Sequence, residues 1–386
     1  MILTKFLETK PLYYKEIDHK RVHTAYDRLK PYIRRPKTVH IVGTNGKGST
    51  GRIIAHLAYK SAVSVGHFSS PHILKFNERI WMDGEDSSDE ILDTAHKKLF
   101  SILGKEISDS LSYFEYTTLL AFVVFENCDL MVLEAGLGGE YDATNVCDKE
   151  LSVITPIGID HQAFLGESIE KIAATKIRSI QKKVLLAPQV YNGVVEMAKK
   201  IADEKKVELF ESEALSVERS VLREKVLTIA TEKSWGDYLV DNAMVALKAL
   251  EILGVVYDVK DLQEIELFGR FYPLTKNIRI DVGHNPLAAK AIEKALHEKV
   301  VLIYNSLDDK EYEEVLRILK PKVKRIEIIT IHSQRGTTLE AIEEALNKVG
   351  IKYSYFDNKI DKDEHYLVFG SFYVVEEFLK KMNVSK

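Results

Sequence analysis

The stretch Gly43-Thr44-Asn45-Gly46-Lys47-Gly48-Ser49-Thr50 decides the fold class of this 386-residue chain. It stands between an apolar run at 38–42, typical of a buried strand, and a helical pattern that begins near Ser49. Glycines let the backbone turn tightly, so several N–H groups can point at one anion, and the helix adds the positive end of its dipole. The stretch predicts a phosphate-binding loop, although Gly48 stands where Ser or Thr usually follows the lysine. The alternative is a glycine-rich turn without a ligand.

The side chains of this loop have the chemistry that a nucleotide needs. Lys47 can reach the outer phosphates, and a hydroxyl of Ser49 or Thr50 can approach a Mg²⁺ ion. The neighbouring Thr44, Asn45, Gly46 and Gly48 would offer backbone N–H groups to the phosphates. We therefore expect ATP at this loop.

The rest of the chain alternates between short apolar runs and helical patterns, which predicts α/β domains with mostly parallel sheets. Predicted strands lie at 38–42, 64–68, 130–133, 151–155, 278–282, 300–304, 326–330 and 366–369. Predicted helices lie at 87–103, 115–127, 168–180, 192–205, 237–253, 286–297, 310–319, 338–348 and 373–382, the first opened by a capping box from Ser87 to Glu90. Residues 206–234 are expected to be rich in β-structure.

Composition excludes several classes of protein. The chain has 54 Lys and Arg against 58 Asp and Glu, a net charge of −4, so no general electrostatic binding to nucleic acid is expected. Cys128 and Cys147 form neither a disulfide framework nor a zinc pattern. The charged N-terminus is unlike a signal peptide, and the most apolar run, 117–125, is too short to span a membrane. We expect a cytoplasmic protein without a membrane partner.

Motifs along nearly the whole chain resemble the folate branch of the Mur-ligase superfamily, the folylpolyglutamate and dihydrofolate synthases. Beyond the Lys-Gly-Ser version of the phosphate loop, the matching motifs stand in family order. They are Ser69-Ser70-Pro71-His72, Phe76-Asn77-Glu78-Arg79-Ile80, Leu133-Glu134-Ala135-Gly136-Leu137-Gly138-Gly139, Asp142-Ala143-Thr144-Asn145, Asp160-His161 with Leu165-Gly166, Gly269-Arg270-Phe271, Asp281-Val282-Gly283-His284-Asn285-Pro286 and Gly370-Ser371. The resemblance implies an ATP-binding domain of Mur-ligase type with the folate site at 1–266. A smaller Rossmann-like, glutamate-ligase domain is implied at 267–386.

The resemblance also implies site residues in the first domain. Metal ligands would be Ser49, Ser70, Glu134, His161 and Lys176, with two Mg²⁺ ions expected. Glu134 follows a buried strand, where a carboxylate suits Mg²⁺. Lys176 would carry a carbamate from CO₂, or would bind phosphate directly if unmodified, since Thr175 stands where the family usually has Glu. The folate substrate would be bound by Ser70, Pro71, Arg79, Asp142 and Asn145, and the Glu78–Arg79 pair could instead be a surface ion pair.

In the second half of the chain, the resemblance implies residues that bind the nucleotide. They are Asn242, Arg270, Asp281 and His284, although the companion of Asn242 in the family, a glutamine, is Leu239 here. The implied catalytic set is Lys47, Lys176, His161, Arg270 and His284.

The implied reaction is ATP-driven addition of L-glutamate to dihydropteroate, to reduced folates such as tetrahydrofolate, or to both, through an acyl phosphate. We expect a monomer that uses ATP and Mg²⁺, and the residues do not tell whether K⁺ or another monovalent cation takes part. Three alternatives stay open on the sequence alone. They are a UDP-muramyl-type peptidoglycan-precursor ligase, a non-catalytic nucleotide-binding relative, and a nucleotide kinase or regulatory ATPase.

Overall fold

The structure is a computed structural model that describes residues 2–11, 18, 20–212 and 217–384. The chain folds into two compact units. Unit 1 comprises 1–158, 167–215 and 243–262, and unit 2 comprises 159–166, 216–242 and 263–386. The domain boundary predicted at residue 267 stays a prediction.

The helices and strands of the described residues follow the predicted alternation. The helices are α1 Leu3–Leu7, α2 Arg21–Leu29, α3 Lys47–Lys60, α4 Asp89–Ser110, α5 Tyr113–Val124, α6 Gln162–Leu165, α7 Ile169–Ile177, α8 Asn192–Lys205, α9 Val217–Glu232, α10 Asp237–Leu253, α11 Pro286–Ala295, α12 Tyr312–Leu319, α13 Leu339–Val349 and α14 Phe372–Lys381. The strands are β1 Lys37–Val42, β2 Val65–Phe68, β3 Ile80–Met82, β4 Glu85–Asp86, β5 Leu130–Glu134, β6 Leu151–Ile154, β7 Lys183–Leu186, β8 Glu208–Glu211, β9 Tyr272–Pro273, β10 Ile278–Asp281, β11 Val300–Tyr304, β12 Val323–Ile328, β13 Tyr353–Tyr355 and β14 Tyr366–Phe369.

The sheet of unit 1 has the order β4-β3-β2-β5-β1-β6-β7-β8. The strands from β2 to β8 along this order are parallel, and β3 and β4 add an antiparallel edge. The central strand β5 is buried along its whole length, as its continuous apolar run predicted. Because parallel strands end at one edge of a sheet, the phosphate loop after β1 and Glu134 at the end of β5 meet at that edge.

The sheet of unit 2 has the order β13-β12-β11-β14-β10-β9, in which only β9 is antiparallel among the described strands. Its core packs Phe271, Tyr304, Leu316 and Phe369 among other apolar side chains. The two-sheet α/β fold class predicted from the sequence is confirmed.

Two local predictions were wrong. In 206–234, only Glu208–Glu211 is a strand and Val217–Glu232 is helix α9, while 213–216 lie outside the described residues. The buried Val226, Ile229 and Ala230 recur at the spacing of a helix, which favours a helix over a strand in this segment.

The start and end of α4 also differ from prediction. Ser88, not Ser87, is the N-cap and accepts the Ile91 N–H, so the predicted capping box does not form. The helix continues past Leu103 to Ser110 because Gly104 takes φ 75° and lets it resume after a kink. Among the described residues, no helix is both long and apolar enough to cross a membrane.

Candidate active site

The backbone of the phosphate loop forms the tight turn that its glycines predicted. Gly43 has φ 153° and packs so tightly that a Cβ there would lie 2.0 Å from the Thr155 hydroxyl. Gly46 is the N-cap of α3 in the left-handed region, with φ 86°. The Thr44 N–H donates to the Pro156 carbonyl over 2.9 Å, which ties the loop to the segment that follows β6. The loop is therefore a fixed turn at the N-terminus of a 14-residue helix, the geometry that favours an anion.

Lys47 and Glu134 face each other across this loop. The Lys47 Nζ donates to the Thr44 carbonyl over 3.2 Å and lies 3.9 Å from Glu134 Oε1. The Ser49 hydroxyl donates to the Gly46 carbonyl over 3.2 Å, and a hydroxyl that donates keeps oxygen lone pairs with which it can bind a cation. Thr50 Oγ1 is buried and has no hydrogen-bond partner among the described residues. The Lys47 ammonium, the Glu134 carboxylate and the hydroxyls of Ser49 and Thr50 thus lie at this loop.

Glu134 fits the role of a ligand for Mg²⁺. Its side chain is buried at the end of β5, and its Oε2 accepts the Ser70 N–H over 3.2 Å. Carboxylate and hydroxyl oxygens are the donors that Mg²⁺ prefers. Among the described residues, no group of three or more His, Cys, Asp or Glu could hold a metal alone. A cation here would therefore need oxygens from a nucleotide as well, as is usual for Mg²⁺.

Lys176 lies against the same loop. Its side chain is only 4% exposed, and its Nζ donates to the Gly43 carbonyl over 2.9 Å. Helix α7 is held close to the glycine loop after β5, because a Cβ on Gly139 would lie 2.5 Å from the Lys176 carbonyl oxygen. The amine predicted to meet phosphate or to carry a carbamate thus reaches the backbone that would cradle the phosphates.

The predicted substrate-side loop is organised by Arg79. Its Nη1 donates to Ser70 Oγ over 3.1 Å and its Nε donates to His72 Nδ1 over 2.7 Å. Burial, with the Arg79 charge, lowers the pKa of His72 to about 4, so the ring is neutral. The Glu78 carboxylate instead accepts the backbone N–H groups of residues 73–75. The structure thus shows the Glu78 carboxylate on backbone N–H groups and the Arg79 guanidinium on Ser70 and His72, and exposed Pro71 follows Ser70 through a cis peptide.

Asp142 and Asn145 lie in the turn after the double glycine, and contacts within unit 1 occupy their polar atoms. Asp142 accepts the Leu137 N–H over 2.8 Å and both the N–H and the hydroxyl of Thr144. Burial raises the pKa of Asp142, against these hydrogen bonds, which lower it. Since Thr144 donates to Asp142, its oxygen accepts from His40 Nε2 over 2.8 Å. These contacts define the shape of the turn, and direct binding of substrate by Asp142 and Asn145 stays a prediction.

In unit 2, Asp160 joins His161, His284 and a lysine that the sequence motifs did not indicate. Lys310 Nζ donates to Asp160 Oδ1 over 2.7 Å, and His284 Nε2 lies 3.6 Å from Oδ2. His161 Nε2 lies 4.0 Å from that same oxygen. Burial alone would raise the pKa of Asp160, but His284, His161 and Lys310 hold it well below its usual range. Nothing in the charge pattern around Lys310 singles it out, because Asp308 and Asp309 beside it resemble an ordinary polar turn.

These residues line a cavity of unit 2. Its volume is about 240 Å³, and its walls include His161, Phe164, Asn285 and Lys310. Phe164 is 60% exposed. The walls thus combine Lys310 with the acidic Asp160, Asp309 and Glu311 and one exposed aromatic ring.

A second polar group of unit 2 surrounds Asp281. Its Oδ2 accepts the Tyr238 hydroxyl and the Phe271 N–H, both over 2.8 Å, and its Oδ1 accepts the Gly283 N–H over 2.7 Å. Burial raises the pKa of Asp281, while the charge of Arg270 lowers it. Arg270 lies over the ring of Phe372, 5.3 Å from its centroid. The predicted nucleotide residues Arg270 and Asp281 are thus neighbours, and Asn242 lies in the same unit and is buried.

The predicted site residues therefore fall into groups. In unit 1, Lys47, Ser49 and Lys176 each donate to a carbonyl of the phosphate loop. Glu134 lies near Lys47 and accepts the Ser70 N–H. His161, predicted as a fifth metal ligand, belongs to unit 2 with His284. The metal-binding role of each residue stays a prediction.

The comparisons with known proteins agree with the motifs. No family model matches the chain. A dihydrofolate synthase/folylpolyglutamate synthase of Haemophilus influenzae is 30% identical over 427 aligned residues, which cover 95% of each chain. The solved structure of Helicobacter pylori folylpolyglutamate synthetase is 39% identical, with a TM-score of 0.78 over 99% of this chain and 98% of that one.

A second solved structure, Escherichia coli FolC in complex with DHPP and ADP, is 26% identical, with a TM-score of 0.83 over 99% of this chain and 98% of that chain. Identity at this level over nearly the full length of both proteins confirms the resemblance seen in the motifs. The chain belongs to the dihydrofolate synthase/folylpolyglutamate synthase family.

Proposed function

We propose that this chain joins L-glutamate to dihydropteroate, to reduced folates, or to both, at the phosphate loop of unit 1. As a member of its family the chain is an ATP-dependent ligase, and its Haemophilus influenzae relative is named for both activities. Family membership disfavours the peptidoglycan-precursor and kinase alternatives. The Escherichia coli protein, in complex with DHPP and ADP, supports a pterin acceptor and an adenine nucleotide for this chain.

One observation carries the assignment of the site. Lys47 Nζ lies 3.9 Å from the buried Glu134 carboxylate at the N-terminus of α3, and Lys176 Nζ donates to Gly43 in the same loop. Two ammonium groups and a helix N-terminus provide positive charge for a polyphosphate, while the carboxylate provides a place for its counter-cation. A glycine turn that served only the fold would not need a buried lysine and a buried glutamate around it.

In this reaction the protein mainly positions the reactants and stabilises the charge on the phosphates. A carboxylate oxygen of the acceptor attacks the γ-phosphorus of ATP, ADP leaves, and an acyl phosphate forms. The amine of L-glutamate then attacks the acyl carbon, loses a proton, and inorganic phosphate leaves. Lys47 and the loop N–H groups would stabilise the charge on the transferred phosphoryl group, and Lys176 would hold the loop or contact the phosphate. Exclusion of water would protect the acyl phosphate from hydrolysis.

The residues present fit a divalent cation bound with the nucleotide. Ser49, Ser70 and Glu134 would hold it, and Mg²⁺ would neutralise phosphate charge as the γ-phosphoryl group is transferred. A second Mg²⁺ ion, the roles of His161 and Lys176 as metal ligands, and the carbamate on Lys176 stay predictions. A role for a monovalent cation, a monomeric state and a cytoplasmic location stay predictions.

For unit 2, we propose that Arg270 and His284 contact the nucleotide and that Asn242 and Asp281 help to bind its nucleoside. A guanidinium can bind phosphate oxygens in a bidentate manner. The stacking of Arg270 on Phe372 limits the orientations of this guanidinium, which supports such a role.

The test is a coupled ADP-release assay with dihydropteroate or tetrahydrofolate as acceptor, each with and without L-glutamate. We expect ADP release that depends on both acceptor and glutamate for at least one of the two. Lys47→Ala should lower kcat by about 100-fold, because it removes a charge that stabilises the transition state. Lys60→Ala is the matched control, since Lys60 is exposed at the other end of α3. Tight ATP binding without glutamate-dependent turnover would instead favour a non-catalytic relative.

A further inference from the structure

Lys149 is a fully buried lysine in unit 1 that neither the motifs nor the proposed chemistry uses. Its relative exposure is 0%. Its Nζ donates to the Asn145 side-chain carbonyl and, over 3.0 Å, to the Ser179 backbone carbonyl. Neither acceptor is a carboxylate. A buried ammonium is costly, so its two neutral acceptors indicate a specific task for this side chain.

The first contact fixes the amide of Asn145. Because Lys149 Nζ can only donate, the Asn145 atom facing it is the oxygen. The Asn145 Nδ2 therefore points the other way, where it donates to the Glu140 carbonyl over 2.7 Å. Lys149 thus sets the orientation of an amide that closes the turn between Glu140 and Asn145. This is the turn predicted to line the folate site.

The second contact leads to Lys176. Ser179, whose carbonyl accepts from Lys149, donates from its hydroxyl to the Lys176 carbonyl over 2.8 Å. Helix α7 ends at Ile177, so the ammonium of Lys149 lies near a helix C-terminus, where a positive charge is favourable. The Glu140 N–H also donates to the Thr175 carbonyl over 2.9 Å. One side chain therefore connects the glycine turn to the end of the helix that carries Lys176.

We propose that Lys149 is a positioning residue for the ligase reaction, an inference that rests on the proposed function. It fixes the position of the 139–145 turn relative to the C-terminal end of α7. The amine of Lys176 thereby stays on the Gly43 carbonyl of the phosphate loop, and the substrate-side turn keeps its shape. Lys149 touches neither nucleotide nor acceptor and acts through Asn145 and Ser179.

The charge state of Lys149 agrees with this role. Burial lowers the pKa of Lys149 to about 8, so the ammonium form still predominates at pH 7. Both of its hydrogen bonds are then charge-assisted and stronger than neutral ones.

Lys149→Met tests the proposal, with Lys10→Met as its matched control. Lys10 is a second buried lysine of unit 1, its Nζ donates to the Ser108 carbonyl, and burial lowers its pKa to about 8 as well. Both variants should lower the thermal midpoint. Only Lys149→Met should lower kcat, by about 10- to 100-fold, because a displaced supporting residue misaligns the reacting groups. The KM for ATP should change by less than about twofold, since the backbone of the phosphate loop is intact.

Ser179→Ala keeps the proposal testable if Lys149→Met does not fold. This small change removes only the hydroxyl that joins Ser179 to Lys176, and it should lower kcat without a comparable loss of stability. In the double variant Asn145→Ala with Lys149→Met, the loss of kcat should be smaller than the product of the two single losses, because the contact that the two residues share can be lost only once.

The outcomes distinguish this proposal from the proposed function. If the wild-type protein shows no glutamate-dependent ADP release, both the proposed function and the positioning role of Lys149 are refuted. Wild-type turnover with an unchanged kcat in folded Lys149→Met or in Ser179→Ala would overturn the positioning role alone. An equal loss of kcat in Lys10→Met would also overturn it, because the effect would then be that of any buried lysine.

Discussion

Gly139→Ala should reduce activity strongly while reducing the stability of the fold only modestly. A Cβ at Gly139 would lie 2.5 Å from the carbonyl oxygen of Lys176 and 3.0 Å from its Cα. Ordinary contacts begin at 3.4 Å, so the turn and helix α7 must separate by about 0.9 Å. Neither obstacle is a flexible side chain, so the backbone itself has to move.

The expected loss of activity follows from that displacement. The Lys176 Nζ lies 2.9 Å from the Gly43 carbonyl, and a shift of about 0.9 Å would take it beyond hydrogen-bonding range. A misplacement of about 1 Å at a reacting centre can cost about 100-fold in rate. Gly139→Ala should therefore lower kcat by about that factor, measured as glutamate-dependent ADP release, while unfolding loses about 1 to 3 kcal/mol in free energy.

Gly193→Ala is the matched control for this experiment. Gly193 lies in the first turn of α8, and its added Cβ would meet only Glu170 Oε1, at an ordinary 3.6 Å. That variant should keep the wild-type kcat and should be slightly stabilised, by up to about 1 kcal/mol. Wild-type kcat in Gly139→Ala would refute the reasoning, because the close approach of the turn to Lys176 would then have no bearing on turnover.

Three further predictions concern other parts of the molecule. Lys310→Met should lower the free energy of unfolding by about 3 kcal/mol in a urea titration, since it leaves the buried Asp160 carboxylate without its closest cation; an unchanged urea midpoint would contradict this. Arg79→Lys should raise the KM for the acceptor and leave the KM for ATP unchanged in the ADP-release assay, because a lysine cannot donate to Ser70 and His72 as the guanidinium does. Cys128 and Cys147 are buried, and burial raises the pKa of each thiol to about 11, so the folded protein should react with a thiol reagent at pH 8 far more slowly than the protein in denaturant.

Much of the fold could be predicted from the sequence, because the hydrophobic pattern and the ends of its runs are local signals. Strands β11 and β14 and helix α10 have the predicted bounds, since each is a continuous or strongly periodic apolar segment. The segment 206–234 was assigned wrongly. Helix α9 has scattered charges on most of its surface and only a narrow buried stripe around Val226, so its helical period is weak.

The site could be predicted only as a set of loops. Gly43, Lys47 and Glu134 were recognisable because strand, glycine and charge occur together in the sequence. Lys149 and Lys310 were not, because nothing local distinguishes a buried lysine from one in solvent. Their burial depends on contacts between residues far apart in sequence, such as Lys149 with Ser179 and Lys310 with Asp160.

The two aspartates found through motifs show that a sequence motif does not predict the contacts of individual atoms either. Asp142 and Asp281 each accept three hydrogen bonds from nearby donors, two of them backbone N–H groups. A carboxylate held in this way mainly fixes the path of the chain, because most of its lone pairs are occupied. A motif therefore predicts which turn lies beside a ligand more reliably than it predicts which atom of that turn contacts the ligand. The residues best placed to exchange contacts with a ligand are those whose polar groups have few other bonds, such as Lys47, with one long hydrogen bond and a distant carboxylate.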